Sequence, residues 1–139
     1  LRDLCARKNA ALLYSTNFSV GVQALFRLAR DLAASVPHYR FSITETHHAA
    51  KIDAPSGTAL SLQRIVQAAA PGQKVEIVSK REGEVPGIHV VEARSDNDCL
   101  ELRHEAFSRR GFADGAIRAA EWIADKTGCW DFQEIVPHL

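Results

Sequence analysis

Methionine is absent from all 139 residues, and residue 1 is therefore expected not to be the natural start. Cysteine is scarce: Cys5, Cys99 and Cys129 are widely spaced and form no C-x-x-C pair, which excludes a disulfide framework and a cysteine zinc site. Reduced thiols in a cytosol are the expectation. No apolar run approaches the roughly 20 residues that span a bilayer. The opening Leu1-Arg2-Asp3-Leu4-Cys5 also lacks the apolar core of a signal peptide, so no membrane role is expected. Neither charge is in excess, because 17 basic residues cancel 17 acidic ones. Nothing draws such a chain to nucleic acid or to an anionic surface, and any anion site must be local. Also missing are a G-x-G-x-x-G after a strand and a P-loop, so the usual phosphate-cradling turn for a dinucleotide is not in these residues.

What is present amounts to one domain's worth of material around a single modest core. Leu1 to Lys8 reads as the tail of a helix and Ala10 to Tyr14 as a short buried strand, a pair that normally belongs to a larger parallel sheet. Val22, Leu25, Phe26, Leu28, Ala29 and Leu32 fall at helical spacing before Pro37. Arg40 to His47 alternates as a strand, and Ser56 can cap a helix that closes at Pro71-Gly72. Period-two runs follow around Val75 and Ile77, over His89 to Ser95 and over Cys99 to Phe107, with Asp96-Asn97-Asp98 as a hairpin turn. A last helix is expected over Ala113 to Lys126, with Ala116, Ile117, Ala120, Ile123 and Ala124 on one face, Gly128 ending it and Asp131 starting a short turn. The sum is an α+β fold: a four-stranded mixed or antiparallel sheet with helices on one face, plus a helix-strand remnant of a truncated dinucleotide-binding domain.

The densest chemistry lies in residues 45 to 59, Glu-Thr-His-His-Ala-Ala-Lys-Ile-Asp-Ala-Pro-Ser-Gly-Thr-Ala. His47, His48 and Lys51 can move or donate protons. Ser56, Gly57 and Thr58 would begin a helix whose free N–H groups face an anion. Together they describe a pocket for a negatively charged substrate that must be protonated. Each residue also has a plainer explanation. A lone His47 is a strand-end histidine satisfied by backbone, a lone Lys51 is solvated charge, and Asp53 either orients Lys51 or folds the turn with Pro55. His89 and His104 fall in predicted strands, but no ligand spacing supports a metal, and none is expected. Arg81 reads best as a rim or interface salt bridge. Trp122 and Trp130 read as core or subunit contact, and Gly21, Gly57, Gly83 and Gly115 as turn or close-packing residues as readily as ligand contacts.

The runs Asn17-Phe18-Ser19-Val20-Gly21-Val22, Glu45-Thr46-His47-His48 to Lys51, Asp53 to Ala59, Arg81-Glu82-Gly83 with Pro86-Gly87-x-His89, and Ser108-Arg109 to Phe112-Ala113-x-Gly115-Ala116 resemble dihydrodipicolinate reductase, in order and over nearly the whole chain. The H-H-x-x-K-x-D-A-P-S-G-T run is highly specific. What resembles that family is its C-terminal part. The resemblance implies a remnant of the nucleotide-binding domain and hinge over 1–16, a substrate-binding and tetramerisation domain over 17–115, and a returning helix and tail over 116–139. It implies His47 as the catalytic histidine and Lys51 as proton donor, with His48, Ser56, Gly57, Thr58 and Arg109 holding a small cyclic dicarboxylate. Ser15, Thr16, Asn17, Phe18 and Phe112 would lie near the nicotinamide of NADPH or NADH. The Asp96-Asn97-Asp98 hairpin looks shorter than in many members.

Two functions compete on these grounds. One is the substrate-binding and oligomerisation part of a reductase on the lysine and diaminopimelate pathway, a homotetramer inactive without its cofactor domain. The other is a non-catalytic assembly module that binds dicarboxylates.

Overall fold

The computed structural model describes residues 1–139, with element order α1 (Arg2–Lys8), β1 (Ala11–Tyr14), α2 (Val20–Ser35), β2 (Arg40–His47), α3 (Gly57–Ala69), β3 (Glu76–Arg81), β4 (Gly87–Arg94), β5 (Cys99–Ala106), α4 (Arg110–Ile123), β6 (Gly128–Asp131), α5 (Phe132–Ile135) and a closing 3-10 turn. The chain divides into two units, one built from both ends (1–23 and 109–139) and one from 24–108.

In the 24–108 unit the sheet order is β3-β2-β4-β5. β2 and β3 run parallel and are joined through α3, while β2–β4 and β4–β5 are antiparallel. Alternation of side chains across the pleat puts Phe41, Ile43 and Glu45 on one face together with their partners Ala93, Val91 and His89. The apolar members of that row are buried with Leu25, Phe26, Ala29, Leu62 and Val66. One rung of the same face is polar across all four strands, since Ser79 lies opposite Glu45, Glu45 opposite His89, and His89 opposite His104. α3 starts where the sequence predicts: Ser56 is the N-cap, and its hydroxyl accepts from the amide of Ala59 at 3.2 Å.

The end-built unit holds a two-stranded parallel sheet, β1 against β6, with Leu12 opposite Cys129 and Leu13 opposite Trp130. β6 corrects the expectation of a helix stop followed by a turn. Gly-Cys-Trp-Asp is too short to show alternation, and its pairing is with a strand at the far end of the chain. Gly128 enters it at φ +111, a backbone state that glycine adopts without strain. α4 begins and ends three residues earlier than expected, and its inward residues are Gly115 and Ala119, while Ile117 faces outward. Around Ala119 gather Phe132, Ile135, Leu13, Phe18, Trp122 and Trp130. Trp122 and Trp130 meet edge to face at 5.3 Å and, half-buried, pack against this cluster. At Gly115 a Cβ would run into the carbonyl oxygen of Phe18, so close packing fixes glycine there. No helix is long and apolar enough to cross a membrane.

Candidate functional site

β2 ends in Glu-Thr-His, so Glu45 and His47 project from the same face two residues apart. Glu45 is fully buried, a position no carboxylate takes without partners. Its Oε1 accepts from the backbone N–H of Ser56 at 3.1 Å and from Nη2 of Arg81 at 3.1 Å. Burial alone would raise this carboxyl, but hydrogen bonds from Ser56, Ser79 and Arg81 outweigh it and hold Glu45 down at about 2. Its other oxygen, Oε2, lies 3.0 Å from Nδ1 of His47 and 3.9 Å from Nε2 of His89. The His47 contact is close but bent: neither Nδ1 nor Oε2 has an aligned hydrogen-bond partner. The carboxylate therefore acts on the ring through its charge at 3.0 Å and not through an aligned hydrogen bond.

His47 and His89 face each other edge on, with ring centroids 5.1 Å apart. Burial drives His89 down to about 4, with His47 pushing the same way and Glu45 opposing. Burial also lowers His47, assisted by Lys51 and Arg81 and opposed by Glu45 and Asp53, so both rings are neutral at pH 7. His89 Nε2 is 3.3 Å from the Ser56 hydroxyl. Ser56 thus joins the buried imidazoles to the start of α3. The next residue, Gly57, is exposed, and nothing lies within 4 Å of where its Cβ would stand, so that end of the helix is open to a ligand. Thr58 follows it, half-buried.

Between β2 and α3 the loop is pinned from several sides. Ala49 donates to the carbonyl of Gly83, Glu82 to that of His47, and Lys51 to that of His48. The ammonium of Lys51 pairs with Asp53 at 2.6 Å, which settles Asp53 as the partner of Lys51. Arg81 overturns its expected rim position. Its guanidinium donates to Glu45 and to the backbone carbonyls of Lys51, Asp53 and Lys80, so it is an internal clamp between the buried carboxylate and the Lys51 loop. Glu45 and Gly87 were also not singled out by sequence reasoning as site residues. A Cβ on Gly87 would sit 3.2 Å from Nε2 of His47, so this buried glycine leaves the imidazole its room. The signal for Glu45 was its place two residues before His47 on a period-two strand.

The structure therefore links Lys51 and Ser56 through Arg81 and Glu45 and sets the His47 ring against the same carboxylate, with Gly57 and Thr58 following Ser56 in the chain and His48 next to His47. The other predicted residues lie in the end-built unit. Ser15 donates its hydroxyl to the carbonyl of Asn17, the Asn17 side chain accepts from Ser19, and the buried Gln23 closes this turn by donating to Ser15 and to the Asn17 carbonyl. Thr16 is exposed within the turn. Phe18 stacks obliquely on Phe132 at 4.9 Å. Arg109 sits at the N-cap of α4 and Phe112 in its first turn.

Glu45, His47 and His89 each bring one ligand atom within 4.8 Å of the others, a trio that could hold a metal by donor count. The one negative charge of that trio, on Glu45, is already paired with Arg81 at 3.1 Å.

Residues 21–136 match the family described as dihydrodipicolinate reductase, C-terminus. Proteins named 4-hydroxy-tetrahydrodipicolinate reductase are similar over almost the whole chain. The one from Christiangramia forsetii is 38% identical over 152 residues, covering 99% of this chain and 64% of its own. The one from Rickettsia bellii is 38% identical over 148 residues, covering 96% and 59%. A solved dipicolinate-bound dihydrodipicolinate reductase from Paenisporosarcina sp. TG-14 superposes with a TM-score of 0.80 at 18% identity, over 96% of this chain and 58% of that one, a likeness of fold. The chain thus spans about three fifths of the length of the relatives it matches.

Proposed function

The chain belongs to the dihydrodipicolinate reductase family through the C-terminal part of its members, and from that premise we propose that it is the substrate-binding and assembly part of an enzyme that reduces dihydrodipicolinate with NADH or NADPH in lysine and diaminopimelate biosynthesis. One observation carries this reading: Glu45 touches both His47 and the N-cap of α3, so an imidazole and an open helix start are held by one buried carboxylate.

A cyclic imine with two carboxylates needs cations or N–H donors at each anionic end, and charge-assisted hydrogen bonds there are roughly twice as strong as neutral ones. Ser56, Gly57 and Thr58 would receive one carboxylate and His48 would complete the grip. Lys51 would protonate the electron-rich centre that reduction creates. General acid help of this kind is worth about 10²–10⁴ in rate. The Gly-rich turn that takes a dinucleotide's pyrophosphate is not among residues 1–139, so these residues do not fit the whole cofactor. Ser15, Thr16, Asn17, Phe18 and Phe112 would only border its nicotinamide, the source of the hydride. Residues 17–115 form the substrate and assembly part in this reading, with 1–16 and 116–139 belonging to the nucleotide-binding side. By itself the chain would be catalytically silent. It would work in the cytosol as a homotetramer, covering the sheet face that carries the half-exposed Val78.

Amide spectra of the 15N-labelled chain test this. Pyridine-2,6-dicarboxylate, a flat stable mimic of the substrate, should shift Gly57 and Thr58, while NADPH alone should shift nothing in residues 45–59. Dicarboxylate shifts confined to other regions would refute the pocket.

A further inference from the structure

The buried carboxylate beneath the pocket has a consequence for the chemistry at His47. Glu45 is wholly excluded from water, and Oε1 is committed to Ser56 and Arg81. That leaves Oε2, an acceptor and nothing else while the group is ionised, 3.0 Å from Nδ1 of His47. The contact is not an aligned hydrogen bond, but a carboxylate charge at 3.0 Å favours the positive N–H edge of the ring over a lone pair, so the hydrogen of the neutral ring belongs on Nδ1. The partner of one ring nitrogen decides the state of the other, and Nε2 is left bare beside Gly87, where a Cβ would come within 3.2 Å of it.

Resting on the reductase-pocket reading, we propose that Glu45 is a positioning residue that fixes His47 as the Nδ1–H tautomer, so that His47 presents Nε2 to the substrate as a hydrogen-bond acceptor and the transferred proton comes from Lys51. The same carboxylate, through the Ser56 amide, ties the ring's orientation to the start of α3. The charged groups near the ring pull both ways. Glu45 and Asp53 favour its protonation, while burial, Lys51 and Arg81 oppose it, and the edge-on His89 is neutral where His47 titrates.

The test is a long-range 15N–1H correlation spectrum of the histidine rings in the intact chain at pH 7.5, which separates a protonated from a bare ring nitrogen without any ligand. His47 should show a protonated Nδ1 and a bare Nε2. In Glu45→Gln the two tautomers should mix and the protonation midpoint of His47 should move to lower pH, because the negative charge 3.0 Å from Nδ1 is gone. A wild-type ring protonated on Nε2 overturns the proposal, and so does a Glu45→Gln ring unchanged in tautomer and midpoint. Should Glu45→Gln fail to fold, the wild-type tautomer still decides. Failure to bind the dicarboxylate would count against the pocket and leave the tautomer result standing, so the two readings fail separately.

Discussion

The backbone N–H of Ser56 donates to the carboxylate of Glu45 at 3.1 Å, joining two residues eleven positions apart. The residue that caps α3 and the residue that faces His47 are thereby one structural unit, and the open end of the helix is registered on the end of β2.

Removing the hydroxyl tests that unit. Ser56→Ala loses the cap to Ala59 and one donor to Glu45. Cap loss alone costs about 0.5–2 kcal/mol, and a deficient buried carboxylate adds to it. Urea unfolding should show a loss of about 2 kcal/mol or more. A loss below about 0.5 kcal/mol would mean that the cap and the carboxylate are independent.

Arg81→Gln should be among the most damaging single changes outside the apolar core. Breaking a buried ion pair by removing one partner costs roughly 3–5 kcal/mol, because the other charge stays buried. Glu45 is fully buried, and the Arg81 side chain is 19% exposed. A rim salt bridge would instead cost under about 1 kcal/mol, so chemical denaturation of this variant separates the two roles.

Acid should destabilise the fold in two joined windows. Unfolded His89 takes a proton near 6.5 but the folded residue only near 4, so the unfolded chain binds more protons between those values. Stability therefore falls as pH drops through that window, by roughly 3 kcal/mol for this residue. The lowered His47 acts in the same direction. Glu45 continues the loss, since its contribution is complete above 4.5 and disappears as pH falls towards about 2. Urea midpoints at pH 7.5, 5 and 4 should decline in order, and His89→Gln should flatten the upper window. Equal midpoints at pH 7.5 and 5 would contradict the buried neutral histidines.

Gly115→Ala should destabilise although alanine is the better helix former by about 1 kcal/mol. The added methyl would meet the carbonyl of Phe18, and overpacking typically costs about 1–3 kcal/mol. A drop in Tm is the expected result, and a rise would show that the Phe18 turn yields freely.

Much of the fold is legible in local sequence. β2 runs over the residues its alternation predicts, and α3 begins at its capping serine, because both signals are local. β6 is not legible: four residues without alternation become a strand only by pairing with β1 across almost the whole chain. α4 deceives differently, since its alanines satisfy two faces equally and only the close approach at Gly115 selects one. Of the candidate site, His47, Lys51 and Ser56 stand out by density of chemistry. Glu45 and Arg81 do not, because a strand carboxylate and a lone arginine read as solvated charge until β2 and β3 pair and bring them within diagonal reach. Gly87 is visible only once His47 is beside it.

The proposed site for a cyclic dicarboxylate joins the Lys51 loop to the start of α3. Isothermal titration of pyridine-2,6-dicarboxylate into the chain, repeated with Lys51→Ala and Thr58→Val, tests it most directly. Saturable binding is expected, weakened by both substitutions while urea unfolding of either variant changes by less than about 1 kcal/mol, as suits a lysine whose ammonium pairs with exposed Asp53. Binding indifferent to both substitutions, or no binding by the folded chain, would contradict it.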